Sequence, residues 1–145
     1  MTKLSPGPVF WCLVATQTAH SVEETLTGFW KWFPVLAAGV HSLVGFFPVI
    51  TPSRGQFIGV NFVIVIVLSA VGALSLRQNR WALRAALVIA IAEVINGVYH
   101  VGAMVILGHY FPGAISGIGL IIIGSLYLMA RAPGNGASTA ATSMP

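Results

Sequence analysis

The chain contains no aspartate, and among its 145 residues it has only three carboxylates against seven lysines and arginines. Charged residues make up 7% of it, where soluble domains carry about a quarter. With 57% hydrophobic residues and a mean hydropathy of +0.89, the chain is excluded from having water as its main solvent. The net charge of +4 is not gathered into a patch. Its cations fall singly near the ends of apolar runs, which excludes nucleic acid as a partner and suits charges that orient membrane spans. One cysteine, Cys12, excludes an intramolecular disulfide, and its place in an apolar run leaves the redox compartment unread.

What is present is a series of long apolar runs. A chain of this length admits one domain, with room for about four spans of roughly 20 residues each. Residues 57–76 form the clearest span, residues 81–107 a second interrupted by Glu93, Asn96 and His100, and residues 110–130 a third. The first candidate, residues 8–28, is polar in its second half, carrying Gln17, His20, Glu23 and Glu24, so it is not expected to face lipid all round. A cleavable signal peptide ending near Ala19 is the weaker reading, with a thin basic start at Lys3 and a minimal apolar core. Residues 33–50, bounded by Pro34 and Pro48, are short for a crossing and read as a re-entrant or interfacial helix. The expected fold is therefore all-α, a transmembrane four-helix bundle over residues 1–131, followed by a disordered tail over 132–145.

Four crossings with both termini inside place Lys3, Arg77, Arg80, Arg84 and Arg131 in the cytoplasm and Lys31 and Arg54 outside, satisfying the positive-inside rule. A five-span alternative satisfies it equally. The four-span arrangement puts Trp11, Trp81 and Tyr127 near the inner interface and Trp30, Trp32 and Tyr110 near the outer one.

All three carboxylates fall inside predicted spans, where a charged side chain costs about 2.5–3.5 kcal/mol on insertion scales. Such residues pair, bind a metal, stay protonated or line a polar cavity. At about 100° per residue, Gln17, His20, Glu23 and Glu24 share one face of the first helix, and Glu93, Asn96 and His100 share one face of the third. A rise of about 1.5 Å per residue puts His20 and Glu93 at the same depth, roughly 16 Å from the inner end, with Glu24 and His100 farther out. In the five-span alternative the acids of the first helix are stranded away from the later ones. The spacing thus predicts a joint site, with His20, Glu24, Glu93 and His100 as ligands of a divalent metal ion (Fe, Zn or Mn). Glu23, Glu24 and Glu93 are the acid–base candidates. Three carboxylates are fewer than dinuclear bundle sites use, which favours a mononuclear centre or a lean dinuclear one helped by His41 or His109. Gly113 and Gly117 are read as a small-residue pair for close packing.

The segment HSVEE at residues 20–24 resembles the HXXEE family of small membrane proteins, named for that motif. The resemblance extends to Asn96 and His100 in NGVYH and to Tyr110, Pro112 and Gly113 in YFPG, in the same order over about residues 11–120. Residues 33–50, with His41, depart from the more polar connector the resemblance leads one to expect. It implies a polytopic membrane protein with a metal or acid–base site and no settled activity.

The leading expectation is a membrane-embedded enzyme acting on a lipophilic small-molecule substrate that enters from the surrounding lipids, with a homo-oligomer allowed. In a metal-free version, the glutamates and histidines act as acid–base groups for isomerisation or cyclisation of a terpenoid or lipid. The alternatives from other classes are a proton or metal-ion transporter and an accessory membrane subunit whose polar cluster only locks helices together.

Overall fold

The computed structural model describes residues 5–46 and 48–131, which hold five α-helices and no strand. They are α1 (Pro6–Thr27), α2 (Phe33–Val44), α3 (Arg54–Leu76), α4 (Arg80–Leu107) and α5 (Ala114–Arg131), with a 3-10 turn at Phe29–Lys31 between α1 and α2. Lys3 and the tail beyond Arg131 lie outside the described residues.

Local chemistry sets the helix limits. Pro6 and Pro8 occupy the first turn of α1, where a missing N–H breaks no helical bond. The helix stops at Gly28, whose φ of 82° only glycine adopts freely and whose N–H returns to the Glu24 carbonyl. A capping box formed by Ser53 and Gln56 starts α3 at Arg54, slightly ahead of the apolar run. The Asn79 side chain accepts from the Trp81 and Ala82 amides to start α4. The final helix begins at Ala114, later than the expected 110, because residues 108–113 form a connection that packs on the site instead of joining the helix.

Three of these helices, α3, α4 and α5, are long and apolar enough to cross a membrane. α1 has 22 residues and comparable length, but its second half is polar. α2 has 12 residues, about 18 Å of helix, which is short of a hydrocarbon core of about 30 Å. Only Ala37 of α2 is buried, and Val35, Leu43 and Val44 are exposed.

The four long helices form a ring, α1 against α3, α3 against α4, α4 against α5 and α5 against α1, while α1 and α4 face each other across a diagonal. Neighbours run antiparallel. Gly7 lies beside Leu76 and Ser21 bonds Asn61 across α1 and α3, while Phe10 stacks edge-on against Tyr127 and Glu23 meets Ser116 across α1 and α5. The two diagonal helices therefore run parallel, which puts the polar halves of both in the same part of the bundle. Tyr127, expected as an interfacial anchor, is 2% exposed and belongs to the core, because that face of α5 turns towards Phe10.

Along its axis the bundle has layers. One end is an apolar cluster of Val9, Phe10, Leu13, Leu68, Leu120 and Tyr127. The other carries an aromatic cluster of Phe29, Phe57 and Phe111, with Trp30 and Phe33 against it. Between them lie the polar residues.

The closest approach is between α4 and α5. A Cβ on Gly97 would collide with the Gly117 carbonyl and lie 2.9 Å from Ile121 Cγ1, and one on Gly124 would lie 2.6 Å from Val94 Cγ2. Gly117 thus packs closely within the monomer, whereas Gly113, its expected partner in a small-residue pair, meets imidazole rings. Gly97→Ala is expected to destabilise the bundle by about 1–3 kcal/mol through overpacking, whereas Gly102→Ala, where the added methyl meets nothing within 4 Å, should be neutral or stabilising by up to about 1 kcal/mol. Thermal unfolding in detergent compares them, and equal midpoints would contradict the packing described.

Candidate metal centre

Three side chains from the two diagonal helices meet in the core: His20 and Glu24 from α1, one turn apart, and His100 from α4. All three are buried, and one ligand atom from each lies within 4.8 Å of the others. Glu24 Oε1 is 3.4 Å from His20 Nε2 and 3.1 Å from His100 Nε2. The two rings stand nearly perpendicular, with centroids 4.7 Å apart.

The outer nitrogens of both rings are already committed. His100 Nδ1 lies 2.5 Å from the Pro112 carbonyl oxygen, which can only accept, so Nδ1 carries the proton. His20 Nδ1 lies 2.9 Å from Ser116 Oγ, whose own proton is donated in a short hydrogen bond to Glu23 Oε2, so this ring also donates from Nδ1. Asn96 Nδ2 donates to His20 Nε2 over 3.3 Å. Both Nε2 atoms consequently face one carboxylate oxygen, which they can hold by hydrogen bonds or share with a cation placed between them. Metal-bound histidines are typically oriented in this way, through a second nitrogen donating to a carbonyl or other acceptor.

Glu23 faces the other way. Its Oε1 accepts from the Tyr110 hydroxyl at 2.6 Å and the Ile115 amide at 3.2 Å, and its Oε2 from the Ser116 amide at 2.8 Å and the Ser116 hydroxyl. The first amides of α5 have no partner within their own helix, and a carboxylate from α1 satisfies two of them at the positive end of the helix dipole. Burial, then the hydrogen bond and charge of Glu23, push the Tyr110 phenol above its ordinary pKa and keep it a donor through the neutral range.

Gly113 closes the site. Its φ is 85°, and a Cβ there would stand 2.7 Å from His100 Nδ1 and 2.8 Å from His20 Cε1. Tyr110, Pro112 and Gly113 thus reach the centre by a hydroxyl, a carbonyl and a missing side chain respectively.

Residues 11–128 match the family described as protein of unknown function with HXXEE motif. The chain belongs to this family. In this HXXEE protein the motif's histidine and second glutamate converge with His100, while its first glutamate caps α5. Comparison with curated proteins and with solved structures returned no match.

Not every expected residue joins the group. Glu93 is buried on α4, two turns before His100 or about 10 Å along the axis, and no atom of it belongs to the cluster. The depth reckoning paired Glu93 with His20. The structure brings the His100 ring against His20 at the level of Gly113, while Glu93 hydrogen-bonds with Asn96 and stays within electrostatic range of His20 and Glu24. Gln17 is buried one turn before His20 and donates to Ser21 Oγ. His41 is exposed on α2, and His109 is exposed with Nδ1 3.0 Å from the Tyr110 carbonyl, so neither reaches the centre.

Ser116 escaped sequence reasoning, since a serine early in an apolar helix reads as a neutral small residue. Its position three residues after Gly113, near the start of α5, was the available signal. Asn61 of α3 is buried, accepts from the Ser21 hydroxyl at 2.8 Å and donates to the Phe57 carbonyl.

Glu23→Gln is expected to lower stability by about 1.5–3 kcal/mol by removing a charged acceptor, and Tyr110→Phe by less, since it deletes one donor at an exposed position. Hydrogen exchange supplies the check. The Ile115 and Ser116 amides should exchange faster in Glu23→Gln, and unchanged protection there would contradict the capping role.

Proposed function

We propose that this HXXEE protein is a four-span membrane metalloenzyme whose divalent ion is held by His20, Glu24 and His100. The observation that carries the reading is the convergence of two Nε2 atoms and a carboxylate oxygen, each ring fixed from behind, inside a bundle that is apolar above and below. Two histidines and one carboxylate are a donor set used for zinc and for iron, with positions left open for substrate. A bound ion would supply Lewis acidity for hydrolysis or redox chemistry for oxidation, depending on the metal.

The chain's own residues divide the remaining work. Ser116 and Pro112 hold the two rings in their ligating orientation, and Glu23 is a positioning residue that fixes Ser116. Asn96, whose amide donates to His20 Nε2, would release that nitrogen to a bound ion. Glu93, a turn before Asn96 on the same face, is the carboxylate left to act as acid or base.

Taking α1 as the fourth crossing puts every buried polar residue of its second half inside the ring. The antiparallel packing then gathers Arg77, Arg80, Arg84 and Arg131 at one end and Lys31 and Arg54 at the other, which favours the first end, with both termini, on the cytoplasmic side. α2 is read as lying at the outer interface.

Metal analysis by mass spectrometry of detergent-purified protein from metal-replete cells tests the centre. Native protein should carry stoichiometric metal, His20→Ala, Glu24→Ala and His100→Ala should lose it, and Glu93→Gln should retain it. Gly113→Ala, which drives a methyl into both rings, should weaken metal affinity at least about tenfold. Metal-free native protein would overturn the reading and leave the cluster to acid–base chemistry.

A further inference from the structure

Beside the centre lies a cavity of about 720 Å³, walled by α1, α3 and the chain entering α3. Glu24 and Asn96 belong both to the centre and to this cavity, so the two are contiguous. Most of the wall is apolar, with Phe29, Phe33, Ile50, Phe57 and Val60 prominent. Its size is that of pockets enclosing small organic ligands.

Three observations define what fits. First, Gln17 lines the cavity, is 4% exposed, and its Oε1 has no hydrogen-bond partner. Its Nε2 is directed to Ser21, and the carbonyl oxygen, closed to a water-sized probe in this conformer, meets a donor once the side chain turns into the cavity. Buried side-chain acceptors seldom lack a partner in native structures, and a ligand hydroxyl or amide N–H would supply one. Second, no lysine or arginine is among the described residues lining the cavity, while the Glu24 carboxylate is. A phosphate or carboxylate head at Gln17 would meet no lysine or arginine, and an ion on the centre would stand about two helical turns away at Glu24, so a head seated at Gln17 is uncharged.

Third, the cavity continues outward. A shallower groove of about 400 Å³ follows α3 along Gln56, Gly59, Val60, Val63 and Ile64, sharing Gln56, Val60 and Ile64 with the cavity. Val60 and Val63 are exposed, so the groove opens where a membrane-spanning α3 meets lipid. At Gly59 a Cβ would meet nothing within 4 Å, which leaves room along the helix for an alkyl chain.

We infer that the cavity takes an uncharged long-chain lipid bearing a hydroxyl or amide donor, with its head on Gln17 Oε1, two turns of α1 from Glu24, and its chain leaving along the Gly59 groove of α3. As a substrate class this rests on the enzyme reading above; as a binding site it stands independently.

Photolabelling of the full-length protein in nanodiscs tests it, with three diazirine-bearing probes: hexadecanol, its methyl ether and hexadecanoic acid. The alcohol should label α3 saturably, at least about tenfold more strongly than the ether or the acid, the effect of one buried hydrogen bond. Gly59→Leu, placed in open space, should cut labelling by the alcohol about tenfold while metal content stays unchanged. Gln17→Met should reduce alcohol labelling to the level of the ether and leave the ether as it was. Equal or stronger labelling by the acid, or no loss in Gly59→Leu, would overturn the inference even if Gln17→Met fails to fold. Selective alcohol labelling of a metal-free protein would keep the lipid site and reject the metalloenzyme, whereas stoichiometric metal without probe selectivity would do the reverse.

Discussion

Everything in the polar half of this bundle follows from placing one carboxylate oxygen between two buried imidazole nitrogens. Such an arrangement persists only if each ring is held by its far nitrogen and the surrounding polar atoms are also satisfied. The Pro112 carbonyl holds one ring and the Ser116 hydroxyl the other. Ser116 in turn is held by Glu23, and Glu23 by the first amides of α5 and by Tyr110. The adjacent glutamates of the motif thus face opposite ways, one into the centre and one into the start of a neighbouring helix. Two residues that look redundant in the sequence have different surroundings because consecutive positions on a helix point about 100° apart.

The antiparallel ring explains why the motif elements meet. α1 and α4 share few contacts, yet they run parallel across the diagonal, so residues of similar height on each project into the same volume. The connection before α5 then folds over that volume, delivering Pro112 and Gly113. Apolar packing below and the aromatic cluster above keep the polar layer from spreading, and the departure of the chain after Gly28 places Phe29 directly against the His100 ring, with centroids 4.8 Å apart. The cavity beside Glu24 breaks the seal on one side.

Much of the architecture was legible in the sequence because long apolar helices follow a simple rule: apolar runs of sufficient length, interrupted only where side chains turn inward. The four long helices, the short one between the first two, and the sharing of a face by His20 and Glu24 all followed from length and periodicity. What periodicity does not encode is how far one helix slides along another. That offset decides whether His20 faces Glu93 or His100, and it is set by the contacts of Gly97 with Gly117 and of Gly113 with the rings, which no spacing rule reveals. Backbone groups were also invisible: the Pro112 carbonyl and the α5 amides act without their side chains. Tyr127 shows the same gap from another side, since an aromatic near a helix end reads alike whether it points towards headgroups or a phenylalanine.

The diagonal placement of the ligands bears on how the chain is made. Of the described helices α1 precedes its partners in the chain, and its polar stripe is satisfied only by later ones, Glu23 by the start of α5. Until the ring closes, those side chains lack the partners they have in the folded bundle. Assembly of the centre and closure of the ring therefore coincide, and a chain interrupted before Ala114 has neither.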